Sequence, residues 1–156
     1  QYRTEFSVKA LTDAGVEVEE LLKQRGDWDQ AKAQQIAQDA LNQYGDKIEV
    51  IFCNNDAMAL GAVEAMQQQG LDPKSVPIVG IDATADGRQA IKDGTLAMTV
   101  FQNAEGQGRA SLQAAANLID GKPIAEGTGY EVDDENEFII WVPFEPVTVD
   151  NVADYD

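Results

Sequence analysis

The stretch KIEVIFCNNDAMALGAVEA, residues 47–65, decides how this chain is expected to fold. Residues 48–53 form a mostly apolar run, which is typical of a strand covered on both faces of a sheet. The polar turn 54–56 follows, and residues 57–69 have the composition of a helix that ends at Gly70. A buried strand that leads directly into a helix indicates a strand–helix–strand unit of a parallel sheet.

The same alternation continues on both sides of this stretch. Helices are predicted over 3–14, 30–44, 57–69, 85–93 and 104–120. Strands are predicted over 17–23, 48–53, 76–81, 96–101 and 138–142. Gly15 is expected to end the first helix and Asp29 to cap the second. The predicted fold class is therefore α/β, with a Rossmann-like parallel sheet that carries helices on both faces.

Several side chains are assigned to the core or to solvent at this stage. Cys53 and Trp141 lie in apolar strands and are predicted to be buried. The helix over 104–120 is predicted to turn one set of apolar side chains inward, namely Leu112, Ala115, Ala116 and Ile119. The acidic stretch 133–135 is predicted to be a solvated loop, because it lacks the Asp-x-Asp-x-Asp-Gly pattern of a calcium loop.

Composition excludes several classes of function. The chain has 156 residues, with 11 Lys and Arg against 28 Asp and Glu, which gives a net charge of −17. This charge opposes binding to nucleic acid or to an anionic membrane, since both require clustered basic side chains. There is no histidine and a single cysteine, which excludes a Ser/His/Asp triad, histidine metal sites and an intrachain disulfide.

Polar side chains gather where the predicted strands end. Trp28 follows the first strand, Asn55 the second, Asp82 the third and Gln102 the fourth. Ligands of open α/β sheets bind at this carboxyl edge. A carboxylate and two amides offer hydrogen bonds to hydroxyl groups, and an indole suits the C–H face of a sugar ring. With few cations and no Gly-rich phosphate loop, the set predicts a neutral polyhydroxylated ligand.

Each of these residues also has an ordinary structural interpretation. Asp56 is predicted to be a helix N-cap rather than a ligand-binding residue. Asn55 and Asp82 are equally compatible with a turn and with a ligand contact, and a Trp28 without other support is more often packed than available for stacking. A glycosidase with Asp56 and Asp82 as its carboxylate pair is disfavoured, because both side chains are better explained by roles in binding.

Four segments resemble periplasmic galactose/glucose-binding proteins: residues 47–65, 79–83, 94–100 and 142–151. The motif CNNDAMA at 53–59 alone is shared with the wider superfamily of sugar-binding proteins. Arg3 and Trp28 occur at the family's spacing, and together with Glu49 they favour the galactose/glucose branch. The resemblance extends over nearly the whole chain.

The resemblance implies a two-lobed receptor that closes on D-galactose or D-glucose and delivers it to the membrane permease of an ABC-type importer, and in some members to a chemoreceptor. Such receptors are exported to the periplasm or to the outer face of the cell membrane. By position, Arg3, Asn55 and Asp82 would bind sugar hydroxyls and the ring oxygen, and Trp28 would stack on the ring. Gln102 stands where family members often have Asn. Glu49 matches one ligand of the family's calcium site.

Family members are about twice as long as this chain. Residues 1–156 are therefore expected to form the C-terminal lobe of such a receptor, without the N-terminal lobe that completes the cleft. A second interpretation is the effector-binding domain of a sugar-responsive transcription regulator, which shares the fold. Trp28 and Glu49 favour the receptor, in which no catalysis is expected.

Overall fold

The computed structural model describes residues 2–155. The α-helices are α1 (Tyr2–Asp13), α2 (Gln30–Tyr44), α3 (Asp56–Gln68), α4 (Ala85–Asp93) and α5 (Ala104–Ile119). The strands are β1 (Ile51–Phe52), β2 (Ile78–Val79), β3 (Thr99–Gln102), β4 (Glu131–Val132), β5 (Ile140–Trp141) and β6 (Phe144–Val147). The chain divides into two compact units, one ending at Phe101 and resuming at Pro146, the other comprising residues 102–145.

The first unit contains the parallel sheet. β1 pairs with β2 in parallel, with Ile51 opposite Ile78. Beyond β2, parallel bridges join Val79 to Met98 and Asp82 to Phe101. The strands thus lie side by side in the order β1, β2, β3, with β3 linked to the β2 segment through these isolated bridges, and helices α3 and α4 form the connections. The α/β fold class predicted from the sequence is confirmed.

The core of this unit lies between the sheet and its helices. Its fully buried members include Ala59, Ala65, Met66, Ile78, Ile91, Leu96 and Val147. Helices α2 and α3 pack so closely that a Cβ on Gly61 would collide with the carbonyl oxygen of Gln30. This close approach explains why a residue without a side chain occupies that position on α3.

The predicted helices are found almost residue for residue, since their caps are in place. Asp29 caps α2 by accepting a hydrogen bond from the Lys32 amide at 2.7 Å. Gly15 has a φ of 80°, and the Val16 amide behind it donates to the Leu11 carbonyl at 3.0 Å. This hydrogen bond spans five residues across a glycine with left-handed backbone, which is typical of a helix C-terminus. Helix α1 therefore ends where the sequence predicted.

Two strand predictions need correction. Residues 17–23 form no strand, because no strand in the described part of the chain pairs with them, and Val16, Val18 and Leu22 are exposed. Strand β1 is covered on one face only: Ile51 and Cys53 pack against the core, whereas Phe52 is exposed. Cys53, which was predicted to be buried, is partly buried against the core, and burial of its thiol raises the pKa to about 12.

In the second unit, α5 turns a different face inward from the predicted one. Leu112 is 76% exposed and Ile119 is 86% exposed. The buried face consists of Gly106, Ala110 and Asn117. The Asn117 Nδ2 group donates to the carbonyls of residues 124 and 126, so a polar anchor and two small residues set the helix face instead of the apolar stripe.

The strand pair of this unit also differs from expectation. β4 and β5 are antiparallel, with Glu131 opposite Trp141. The prediction that Trp141 is a core residue is wrong, since it is 57% exposed and its indole N–H donates to Asp133 at 2.8 Å. That hydrogen bond lowers the pKa of Asp133, which lies on the solvent side as predicted for the acidic loop.

No helix among residues 2–155 is long and apolar enough to cross a membrane.

Candidate functional site

Three of the predicted ligand-binding side chains meet in the first unit. The Arg3 Nη1 atom lies 3.4 Å from Asp82 Oδ1 and donates to the Asn54 carbonyl at 2.6 Å. The Arg3 guanidinium carbon lies 5.7 Å from the centroid of the Trp28 ring, within the range of a cation–π contact. The first helix, the 26–29 loop and the end of β2 therefore contribute to one polar cluster, Arg3–Trp28–Asp82.

The first turn of α1 brings Arg3 to this place. Next to the Arg3 contact, the Asn54 Nδ2 group donates to Thr4 Oγ1 at 2.8 Å. Asn54 thus holds α1 through its main chain and its side chain at once. Sequence reasoning missed Asn54 and Thr4, although the adjacency of Asn54 to Asn55 in one polar turn was a usable signal.

The loop before α2 holds Trp28 with its indole 60% exposed. Asp27 and Trp28 have φ values of 50° and 66°, a conformation that non-glycine residues rarely adopt. Ion pairs support this backbone, because Lys32 and Arg25 both contact the Asp27 carboxylate. The hydrogen bond from Lys32 lowers the pKa of Asp27. A tryptophan displayed on a strained, braced loop is suited to stacking, so the packing alternative for Trp28 loses support.

Asp82 also sits on strained backbone. Its φ is 118° and that of Ala83 is 52°. Such residues cost about 1–3 kcal/mol each and persist only where the surroundings enforce them, a pattern that concentrates at functional sites. Partial burial raises the pKa of the Asp82 carboxyl, the nearby Asp56 raises it further, and the Arg3 guanidinium opposes both effects.

Asp56 is a fully buried carboxylate with 0% exposure. Its Oδ2 atom accepts from the Thr84 amide at 2.7 Å and from the Thr84 hydroxyl at 3.1 Å. Its Oδ1 atom accepts from the Thr99 hydroxyl at 2.5 Å. A Cβ on Gly80 or Gly87 would collide with this carboxylate, so the two glycines make room for it.

The cap of α3 is Asn55 and not Asp56, which corrects the sequence-based assignment. Asn55 Oδ1 accepts from the Met58 amide at 3.0 Å, which is the N-cap bond, and Asp56 is the first helical residue. The turn-forming interpretation of Asn55 is thereby confirmed. A ligand contact by Asn55, which is partly buried at the end of β1, stays a prediction.

Gln102 belongs to the second unit and is partly buried there. Its Nε2 group approaches Gln107 Oε1, one turn into α5, at 3.4 Å. This contact of the Gln102 amide lies within its own unit. Its assignment as a sugar-binding residue stays a prediction.

Glu49 is exposed and directly precedes the β1 region. Calcium requires six to eight oxygen ligands. Within residues 2–155, no group of three or more His, Cys, Asp or Glu side chains could hold a metal ion. The described residues alone therefore do not fit a calcium site, and the role of Glu49 as one ligand among others stays a prediction.

In the Arg3–Trp28–Asp82 cluster, Trp28 is exposed and the side chains of Arg3 and Asp82 are partly buried. Two hollows lie elsewhere: one of about 350 Å³ lies beside α3 and α4, and one of about 280 Å³ lies beside α5. Neither is lined by Arg3, Trp28 or Asp82. The cluster offers a forked donor, a carboxylate acceptor and an apolar ring, which together match a polar ring compound with hydroxyl groups.

Comparison with known proteins agrees with this chemistry. Residues 1–123 match the family described as periplasmic binding protein domain. The chain is 37% identical to the D-galactose/methyl-galactoside binding periplasmic protein MglB of Haemophilus influenzae, over 99% of this chain and 45% of that protein. It is 36% identical to the ribose import binding protein RbsB of Salmonella typhimurium, over 67% of this chain and 34% of that protein.

A solved structure is also similar to this chain. The ABC transporter solute binding protein from Bacillus halodurans with bound myo-inositol superposes with a TM-score of 0.75 at 33% identity. The match covers 98% of this chain and 48% of that one. The chain thus spans less than half of the length of the relatives it matches.

Proposed function

Because this chain belongs to the periplasmic binding protein family, we propose that it is the C-terminal lobe of an exported sugar receptor that serves an ABC-type importer. The family is one of binding proteins, which confirms the prediction that the chain is not an enzyme. No observation favours the alternative of a transcription regulator. Delivery of sugar to a permease and to a chemoreceptor belongs to the same proposal.

The observation that carries the proposal is the Arg3–Trp28–Asp82 cluster. Its two groups on strained backbone, Trp28 and Asp82, are the ones that the sequence singled out for stacking and for hydroxyl binding. Asp82 accepts hydrogen bonds from adjacent hydroxyls, Arg3 donates to ring or hydroxyl oxygens, and Trp28 covers one face of the ring.

We propose D-galactose or D-glucose as the ligand. The named ligands of the relatives are galactose, ribose and myo-inositol, which are all neutral and rich in hydroxyls. The net charge of −17 and the carboxylate at the site work against anionic sugars. Titration calorimetry of the full-length protein with galactose, glucose, ribose, myo-inositol and a sugar acid tests this choice, and tighter binding of any of the last three than of both hexoses would refute it.

Replacing Trp28 by alanine is expected to weaken sugar binding about tenfold in the full-length protein, because the ring loses its stacking surface. Calorimetry measures the change. Trp141→Ala is the matched control, since Trp141 is exposed to a similar degree but lies in the other unit. Equal losses in the two variants would contradict the assignment of Trp28.

Sugar affinity is also expected to decrease on acidification. The pKa of Asp82 is raised above its ordinary value of 3.8, so the carboxylate becomes protonated at a higher pH than an exposed one. A protonated Asp82 accepts fewer hydrogen bonds and no longer attracts Arg3. The decrease should therefore begin above the range of an ordinary carboxyl group.

Calorimetry over an acidic pH series measures this dependence. Asp82→Asn is the control, because it removes the titrating group but keeps the shape. If this variant retains the acid limb of the affinity profile, the limb does not come from Asp82.

A further inference from the structure

The Asp82 carboxylate is carried by a turn whose backbone conformation is strained. Asp82 and Ala83 are consecutive residues with positive φ, and neither is glycine. An isolated chain would relax from this conformation, so contacts from elsewhere must hold it. The orientation of the Asp82 side chain depends on those contacts, because φ of its own residue sets where the Cβ points.

A buried chain of hydrogen bonds holds the two amides that follow Asp82. The Ala83 amide donates to the Thr99 hydroxyl at 3.2 Å, and that hydroxyl donates to Asp56 Oδ1 at 2.5 Å. The Thr84 amide donates directly to Asp56 Oδ2 at 2.7 Å. Both amides thus end on a single carboxylate. The Asp82 amide itself donates to the Val100 carbonyl at 2.8 Å within the sheet.

Asp56 and Thr99, which accept these hydrogen bonds, cannot contact a ligand directly. Asp56 and Thr99 both have 0% exposure. Thr99 donates its one hydroxyl proton to Asp56 and accepts from Ala83, so the proton is not available to a ligand. An influence of these residues on binding must therefore act through Asp82.

We propose that Asp56 and Thr99 are positioning residues, which fix the strained 82–84 turn and thereby hold the Asp82 carboxylate in its binding orientation. This role rests on the proposed function of the Arg3–Trp28–Asp82 cluster. The buried Asp56 carboxylate then contributes to ligand binding as well as to packing. The role also explains why glycines at positions 80 and 87 leave space around this carboxylate.

A double-mutant cycle in the full-length protein tests the proposal. Thr99→Val removes the hydroxyl and keeps the shape, whereas Thr99→Ser keeps the hydroxyl. We expect Thr99→Val to weaken binding of D-galactose or D-glucose about tenfold and Thr99→Ser to restore it to within about twofold of the parent. In an Asp82→Ala background, Thr99→Val should cause no further loss, because the group it positions is gone.

Hydrogen exchange gives a second measurement that needs no sugar. In Thr99→Val the Ala83 amide should exchange faster, while amides of α3 away from Asp56 keep their rates. Unchanged exchange at Ala83 would show that Thr99 does not hold the turn and would overturn the proposal. So would an equal loss of affinity from Thr99→Val with and without Asp82, since that result indicates a general effect on folding.

The outcomes separate this inference from the proposed function. If Asp82→Ala weakens binding but Thr99→Val does not, the positioning role is wrong and the sugar site stands. If Asp82→Ala leaves the affinity unchanged, the sugar site is wrong and the positioning role is lost with it.

Discussion

Sugar binding is expected to fall at least about tenfold when Asp82 is replaced by alanine in the full-length protein. The carboxylate accepts hydrogen bonds from sugar hydroxyls, and hydroxyls left unpaired in a closed site cost about 1–3 kcal/mol each. The variant also removes the partner of Arg3, which lies 3.4 Å away. Calorimetry with D-galactose and D-glucose measures the loss.

Asp46→Ala is a suitable control for this experiment. Asp46 is exposed in the short 3₁₀ helix Gly45–Lys47, so the substitution changes the net charge equally without touching the cluster. Its affinity should match that of the parent protein. An Asp82→Ala variant that binds as tightly as the control would reject the site assignment.

Replacing Asp56 by alanine is expected to lower the free energy of unfolding by about 3–4 kcal/mol. The carboxylate accepts from the Thr84 amide, the Thr84 hydroxyl and the Thr99 hydroxyl, and it is completely buried. Its removal leaves these donors without their partner in a space that an alanine does not fill. Urea denaturation of the full-length protein measures the change.

The loss of stability in Asp56→Ala is compared with that in Asp29→Ala. Asp29 makes one capping bond at the exposed start of α2, so its removal should cost about 1 kcal/mol. A loss in Asp56→Ala no greater than that in Asp29→Ala would mean that the buried network does not stabilise the fold as described.

The helices could be predicted from the sequence because their signals are local. The Asp29 cap, the Gly15 end and the glycine after α4 each act within a few residues of chain. The 17–23 segment could not be predicted in this way. A strand depends on a neighbouring strand, and the alternation of side chains does not reveal whether a partner is present.

The cluster itself was predictable in part. The ends of β1 and β2 marked Asn55 and Asp82, and the resemblance to sugar-binding proteins added Arg3, which lies far from both in the sequence. The support behind Asp82 was not predictable. Thr99 and Asp56 are 43 residues apart and meet only through the packing of the sheet, so no local pattern connects them.

The first helix has a consequence for how the cluster responds to its ligand. α1 has no buried residue, and its first turn is held through Arg3 and Thr4. The guanidinium is therefore supplied by an α-helix that has no buried residue. A ligand that binds Arg3 therefore stabilises the contact of α1 with the rest of the first unit. By thermodynamic linkage, this contact raises the affinity for the ligand by the same free energy.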